Sequence, residues 1–367
     1  MGNPETSAAA LLYVDLEAVA ANYRTLRGML RRGAACAGVV KADAYGLGAA
    51  KIAPVLWREG CRHFFVAQAA EGMALREALP DEAWIAVLNG PAPGSEDEVL
   101  AHRLTPVLNS LQQVDAWAAL ARNRSETLGA LLHVDTGMSR LGLDRKELHA
   151  LAEDHSRLDG IRLEYVMSHL ACADEPAHPL NAQQLEEFNA ARRRLPQAPA
   201  SLTNSPGIYL GAAYHGDLAR PGMAIYGLNP TPDAPNPMTQ AVNLKGKIIQ
   251  IRQIDTPRTV GYGAAWRAQG PTRIATVGVG YADGFLRHLS NRATAYFGDT
   301  PIPLVGRVSM DLITLDISAL PPDAAAPGTL IDLIGKHNPP DAVADAAGTI
   351  GYEILTSLGA RYHRVYT

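Results

Sequence analysis

Apolar and polar positions alternate along this chain in two successive rhythms. Up to residue 229, short apolar runs bounded by turn residues are separated by stretches whose apolar residues recur every three or four positions. The runs predict strands over 11–14, 36–40, 63–67, 84–88, 105–108, 130–134, 163–168, 201–203 and 219–226. The intervening pattern predicts helices over 16–31, 69–78, 110–121, 145–155 and 181–195, and one reaching residue 57 that is bent or restarted by Pro54. Strand alternating with helix implies a parallel sheet, and about eight such units imply a closed (β/α)8 barrel of the TIM type.

The rhythm changes after Asn229. Pro230, Pro232, Pro235 and Pro237 mark a connector where neither a helix nor a regular ladder can run. Beyond it, β-type runs at 242–254, 272–280, 293–297, 302–308, 312–317 and 329–334 predict a smaller, mainly β domain, closed by a helical stretch over 351–358.

One break in the pattern is chemical. The apolar run Cys36-Ala37-Gly38-Val39-Val40 stops at Lys41, and Ala42-Asp43-Ala44-Tyr45-Gly46 follows. A lysine where a buried strand ends is poorly solvated. Its ammonium must be paired, lose its proton or be consumed in a Schiff base, and a desolvated lysine is a good nucleophile toward carbonyls. The plain alternative is a lysine that snorkels to the surface. Later stretches supply matching partners: Arg140 follows the strand at 130–134, His169 the strand at 163–168, and Asn204-Ser205 the strand at 201–203. In a parallel barrel these positions share one rim, where active sites sit.

Asn204-Ser205-Pro206 also reads as a helix start, a place where anions are held. Pro221 forces Arg220 toward extended geometry, while the N–H groups of Gly222 and Met223 stay available to an anion. In the second domain Tyr262, Tyr281, Met310-Asp311 and Tyr352 stand in glycine-flanked loops. No metal motif and no serine-nucleophile elbow is present.

Composition narrows the class. A chain of 367 residues, 47% hydrophobic and 19% charged, suits two globular domains. A formal charge of -4 without a basic run argues against nucleic acid or a membrane surface as the main partner. The three separated cysteines suggest a reducing compartment. With no secretory signal and no run long enough to span a bilayer, the expectation is a cytoplasmic protein.

Together these stretches resemble the alanine racemase family, enzymes that carry pyridoxal phosphate (PLP) on an N-terminal barrel followed by a β domain. The resemblance covers nearly the whole chain, from Val40-Lys41-Ala42-Asp43-Ala44-Tyr45-Gly46 through 135–142, Ser168-His169, Asn204-Ser205 and 220–227 to Gly261-Tyr262-Gly263, 280–284, 306–311 and Gly351-Tyr352-Glu353. It implies four segments: an N-terminal strand over 1–11 packing with the β domain, a PLP-binding barrel over 12–229, the connector 230–237, and a β domain over 238–367 that contributes to a partner's active site. Lys41 would hold PLP, with Arg220 facing the ring nitrogen and His169 behind it. Tyr45, Asn204, Ser205, Tyr352 and the N–H groups of Gly222 and Met223 would serve the phosphate. Arg140 and the Met310 N–H would meet the substrate carboxylate, with Asp311 and Tyr281 nearby.

By the same resemblance, Lys41 serves one face of the alanine Cα and Tyr262 the other. Tyr262, Tyr281, Met310 and Asp311 would come from the second subunit of a homodimer with shared sites. Tyr281, Tyr352, Arg287, Arg307, Ile350 and Asp174 would line the access corridor. The chain departs from the family at His133, where many members have a carbamylated lysine supporting the Arg140 equivalent. A hydrogen bond from His133, or an anion between the two, would have to replace it. Ser309 stands for a frequent cysteine. Two rival readings are a PLP-dependent decarboxylase of similar build, which would not favour an arginine at the ring nitrogen, and a PLP carrier, which has no use for Tyr262.

Overall fold

The computed structural model describes residues 4–367; the first three residues of the segment expected over 1–11 lie outside that range. Seven parallel strands run in sequence order: Gly38–Val39, His63–Val66, Trp84–Val87, Thr105–Leu108, Leu128–His133, Ile161–Met167 and Ala200–Ser201. The eighth, Leu218–Ala219, pairs in parallel with Ala35–Cys36, the lower half of the first strand. It also receives Ser201 Oγ at the Leu218 carbonyl (2.7 Å), and Arg220 N donates to Thr203 O (3.0 Å). The eight strands therefore close into a barrel.

All but one of the strands put apolar residues inward. Ala37, Val39, Phe65, Ala86, Val107, Leu131, Met167 and Leu218 form one buried cluster in the barrel interior. The seventh strand is the exception: it places the fully buried Ser201 there, where its hydroxyl meets Arg220. Helices cover the outside. Leu16–Met29 starts at Asp15, whose Oδ1 accepts from Ala18 N (2.8 Å), a cap worth about 1 kcal/mol. Its buried face, with Val19, Asn22, Tyr23 and Leu26, has helical spacing.

The second domain is built on the thirteen-residue strand Val242–Ile254. It runs antiparallel to Ala10–Val14, Thr272–Val277 and Leu330–Ile334. The strand His363–Tyr366 lies parallel to Ala10–Val14, so the first and last strands of the described residues share this sheet. Asn22 joins the two domains: its amide donates to Thr239 O (2.7 Å) and Ile225 O (3.2 Å) and accepts from Thr239 N (2.7 Å).

The structure corrects several expected elements. The strand expected over 219–226 ends at Ala219, because Pro221 lacks an N–H and Gly222 turns the chain into a short 3-10 helix, Met223–Tyr226. The run at 302–308 is a continuous strand only over Thr300–Pro303, followed by a single bridge from Leu304 to Leu315, and the one at 272–280 stops at Val277. Three helices escape the sequence pattern: Glu96–Ala101, Pro340–Ala347 and Pro4–Ser7, the last inside the segment expected as a strand over 1–11, where the strand begins only at Ala10. Among the described residues, no helix is long and apolar enough to cross a membrane.

Candidate active site

The C-terminal ends of the barrel strands carry the polar residues that the sequence singles out. A cavity of about 520 Å³ opens at this rim. Lys41, Tyr45, Arg140, His169, Asn204, Ser205, Arg220, Gly222, Met223 and Tyr352 all line it. His133 lines it as well.

Lys41 is half-buried at the end of the first strand. Burial, then the positive charges of Arg140 and Arg220, pull its ammonium below the usual lysine range, and Glu71 opposes them. After it, Ala42, Asp43, Ala44 and Tyr45 hold φ of 52°, 53°, 53° and 58°. A left-handed turn of residues with Cβ atoms costs roughly 1–2 kcal/mol per residue, and such strain concentrates at functional sites. The turn aims Tyr45 into the cavity, its ring 4.7 Å from that of Tyr226 and 5.9 Å from that of Tyr352. Tyr226 is anchored in turn by a hydrogen bond to Val39 O (2.7 Å).

Arg220 is buried, and its guanidinium donates to Ser201 Oγ (2.5 Å), Ser168 O (2.7 Å), Leu202 O (3.4 Å) and His169 Nδ1 (3.2 Å). Burial lowers it to about 10, so it stays a cation at neutral pH. His169, surrounded by burial and by the charges of Arg220, Arg140 and Lys41, is held well below the usual histidine range and is neutral.

Asn204 caps the short helix Ser205–Ile208: its Oδ1 accepts from Gly207 N (3.0 Å) and its Nδ2 donates to Leu170 O (3.3 Å). Its amide is thus spent on holding Ser205 in place. Ser205 Oγ accepts from Gly222 N (2.9 Å) and Ala224 N (3.4 Å), so the Gly222 N–H is taken by the serine hydroxyl rather than left open to an anion as expected. Gly222 is required by space, since a Cβ there would lie 2.5 Å from the Tyr45 hydroxyl. Two hydroxyls, Tyr45 and Tyr352, thus converge with Ser205 on a cradle floored by bare backbone, and burial pushes Tyr352 up to about 12. Three cations, one cradle and a cavity of this size fit a flat phosphate-bearing cofactor joined to Lys41.

Arg140 is delivered by a turn in which Asp135 Oδ1 accepts from the N–H groups of Gly137, Met138 and Ser139 (2.9, 3.0 and 3.1 Å). It is exposed on the cavity side and makes no hydrogen bond or ion pair among the described residues. The hydrogen bond expected from His133 to Arg140 is therefore not made. His133 Nδ1 lies 2.7 Å from Asn109 Oδ1, and the Asn109 amide is fixed by donating to Leu88 O and Val107 O (3.0 Å each). The His133 proton is thus on Nδ1, and burial lowers the ring to about 3, so a neutral imidazole offers the cavity only an acceptor.

The remaining sequence-derived residues lie elsewhere in the chain. Tyr262 (71% exposed), Tyr281 and Met310 are exposed and do not line the cavity. They share one surface: Tyr281 N donates to Ser309 O (3.0 Å), Ala282 N to Met310 O (2.9 Å), and the Tyr262 loop packs its flanking glycines on Arg307. The Asp311 carboxylate accepts from Arg361 Nη1 (2.8 Å), while Arg361 grips the buried Asp283 through Nε and Nη2 (2.6 and 2.9 Å). Sequence reasoning misses Asn109, Tyr226 and Glu71. Asn109 directly follows the strand at 105–108, so the same rim rule extends to it.

A desolvated lysine, a hydroxyl-lined cradle and a buried arginine share one barrel rim, an arrangement that fits a PLP-dependent enzyme. The models of the alanine racemase N-terminal and C-terminal domains match residues 14–230 and 241–366. The chain is 55% identical to the alanine racemase of Rhodospirillum rubrum over 362 residues, 99% of this chain and 97% of that one. It is 54% identical to the catabolic alanine racemase of Mesorhizobium japonicum, over 99% of this chain and 94% of the relative. Its fold superposes on the alanine racemase of Bartonella henselae, solved with covalently bound pyridoxal phosphate, at a TM-score of 0.95 and 41% identity, covering 98% of this chain and 100% of the other. The chain belongs to the alanine racemase family, PLP-dependent isomerases.

Proposed function

We propose that this chain interconverts L- and D-alanine with two proton-handling groups, Lys41 and Tyr262 of the partner subunit, in a homodimer with shared sites. The observation that carries this reading is the separation of the two halves of the machinery. Lys41 sits on the barrel rim, whereas Tyr262, Tyr281 and Met310 stand exposed beside one another on the β domain. An exposed cluster of large apolar side chains suits an interface between copies, and a two-fold dimer would bring one chain's cluster over the other's rim.

When bound, PLP supplies an aldehyde for Lys41 and an electron-withdrawing ring that acidifies the substrate Cα–H. Lys41 holds it and moves the proton at one face of Cα. The partner subunit's Tyr262 would move the proton at the opposite face, the one lost from L-alanine, which leaves the proton of D-alanine to Lys41. Tyr45, Ser205, Tyr352 and the Met223 N–H would hold the phosphate, with Asn204 fixing Ser205 and the Gly222 N–H bracing the Ser205 hydroxyl. Arg140 and Met310 of the partner subunit bind the substrate carboxylate. Arg220 would meet the ring nitrogen as a donor that keeps its proton, which favours return of the proton to Cα over transamination. Asp311 acts through its loop, its carboxylate being taken by Arg361.

The three cysteines are unpaired, which accords with a cytoplasmic enzyme making D-alanine for peptidoglycan or serving alanine catabolism. The test is direct: purified protein with PLP abolishes the optical rotation of L-alanine without releasing CO2, and Lys41→Ala does not. Release of CO2, or full activity in Lys41→Ala, would refute the reading.

A further inference from the structure

The left-handed turn that follows Lys41 is fastened at both ends. At its exit, Arg364 donates to Gly46 O through Nη2 (2.9 Å) and Nε (3.3 Å), and the Tyr366 hydroxyl donates to Leu47 O (3.0 Å). Asp43 Oδ1 accepts from Ala49 N (2.7 Å). At its start, the side chain that takes hold is Glu71, from the neighbouring barrel unit. Glu71 lies in the first turn of the helix Ala69–Arg76. Its Oε2 accepts from Ala67 N (2.7 Å) and Gln68 N (3.0 Å), satisfying donors at the strand end and the helix start. Its Oε1 leaves that helix altogether and accepts from Ala42 N at 2.6 Å.

The Ala42 N–H belongs to the peptide that joins it to Lys41, so fixing it fixes the plane from which the lysine side chain departs. We propose that Glu71 is a positioning residue for Lys41: its carboxylate clamps the Lys41–Ala42 peptide in the strained turn and so aims the lysine amine at the aldehyde carbon and at one face of Cα. This rests on the reading of Lys41 as cofactor anchor and base. A carboxylate that only capped its own helix would have no use for the third hydrogen bond, which reaches back 29 positions to the strained segment. Glu71 also opposes the charges of Arg140 and Arg220 at the lysine. Charge-assisted bonds of this kind are among the strong ones, and left-handed non-glycine residues persist only where their surroundings hold them.

Glu71→Gln separates the two jobs. An amide has a single acceptor oxygen; the side facing two N–H groups keeps it, and the NH2 is left against Ala42 N. The helix stays capped while the clamp opens. The expected result is a roughly tenfold slower return of the lysine-bound visible band when cofactor-free protein is mixed with PLP. Turnover of the loaded enzyme falls by a similar factor. The deuterium isotope effect with α-deuterated D-alanine rises while that with α-deuterated L-alanine falls, because only the lysine-side transfer has slowed.

Adding Ala42→Gly, which adopts the left-handed conformation without a Cβ penalty, recovers most of the loading rate. Glu71→Asp, one methylene too short to span both sites, gives the same pattern if Glu71→Gln folds poorly. Wild-type loading and unchanged isotope effects in both Glu71 variants would overturn the proposal and leave Glu71 a helix cap. A wild-type protein whose visible band survives Lys41→Ala would instead refute the reading of Lys41.

Discussion

Arg220 Nη2 lies 3.2 Å from His169 Nδ1, and because a guanidinium can only donate, that nitrogen of His169 is an acceptor. The pair is a buried cation leaning on a neutral ring, with Ser201 and two carbonyls completing the shell. A planar fork can serve these acceptors and still present an edge to the cavity; a lysine's point charge cannot. Arg220→Lys is expected to keep the charge and lose the geometry, lowering kcat roughly 10- to 100-fold and weakening PLP retention. Steady-state kinetics with a cofactor titration check this. An unchanged kcat would mean that the charge alone is what matters.

Stability should fall with acid because of His133. Its folded value of about 3 lies below the roughly 6.5 of an unfolded histidine, so between these limits the unfolded chain binds the extra proton. The contribution is complete above pH ~6.5 and is lost as pH falls toward 3, at up to ~1.4 kcal/mol per pH unit for this one group. His169 acts with the same sign. Urea midpoints at neutral and at mildly acidic pH measure the slope, and His133→Gln should flatten it. An equally steep slope in that variant would place the acid sensitivity elsewhere.

Removing Arg361 should damage a loop far from its own backbone. Asp283 is buried and also accepts from Gly280 N (2.8 Å), while Asp311 is half-exposed. Arg361→Ala leaves a buried carboxylate without its partner and frees the Met310–Asp311 loop, so the melting temperature should drop by several degrees and KM for alanine should rise. Adding Asp283→Asn, which removes the stranded charge, should return part of the stability but not the KM. Recovery of both would assign Arg361 a purely structural part.

Much of the fold and of the rim is legible in the amino-acid sequence. The strand Val242–Ile254 announces itself by alternation, and Lys41 by ending an apolar run that burial has no reason to end. The pattern over 219–226 overstates the last barrel strand because the apolar residues after Gly222 belong to a 3-10 helix, which apolar content alone does not distinguish from a strand. Pro340–Ala347 stays hidden because prolines that open a helix look, in sequence, like those that prevent one. Glu71 stays hidden for a different reason: its position marks a helix start, and nothing in a linear pattern says that one carboxylate oxygen will cross to another unit of the barrel. The same limit applies to Tyr262, whose placement opposite Lys41 comes from family resemblance, since periodicity within one chain holds no information about a second copy.

The shared site can be tested by complementation. On the proposed function, Lys41→Ala would lack the anchor on the rim and Tyr262→Phe the hydroxyl lent to the partner, so each alone should be nearly inactive in racemisation. Tyr262→Phe should also exchange the α-proton of D-alanine with solvent far faster than that of L-alanine. In a mixed dimer one site would lose both groups and the other would keep both. Equal co-expression of the two variants should therefore restore about a quarter of wild-type activity. Activity no greater than that of the variants alone would contradict the account, because the lysine and the tyrosine would then have to serve a site within one chain.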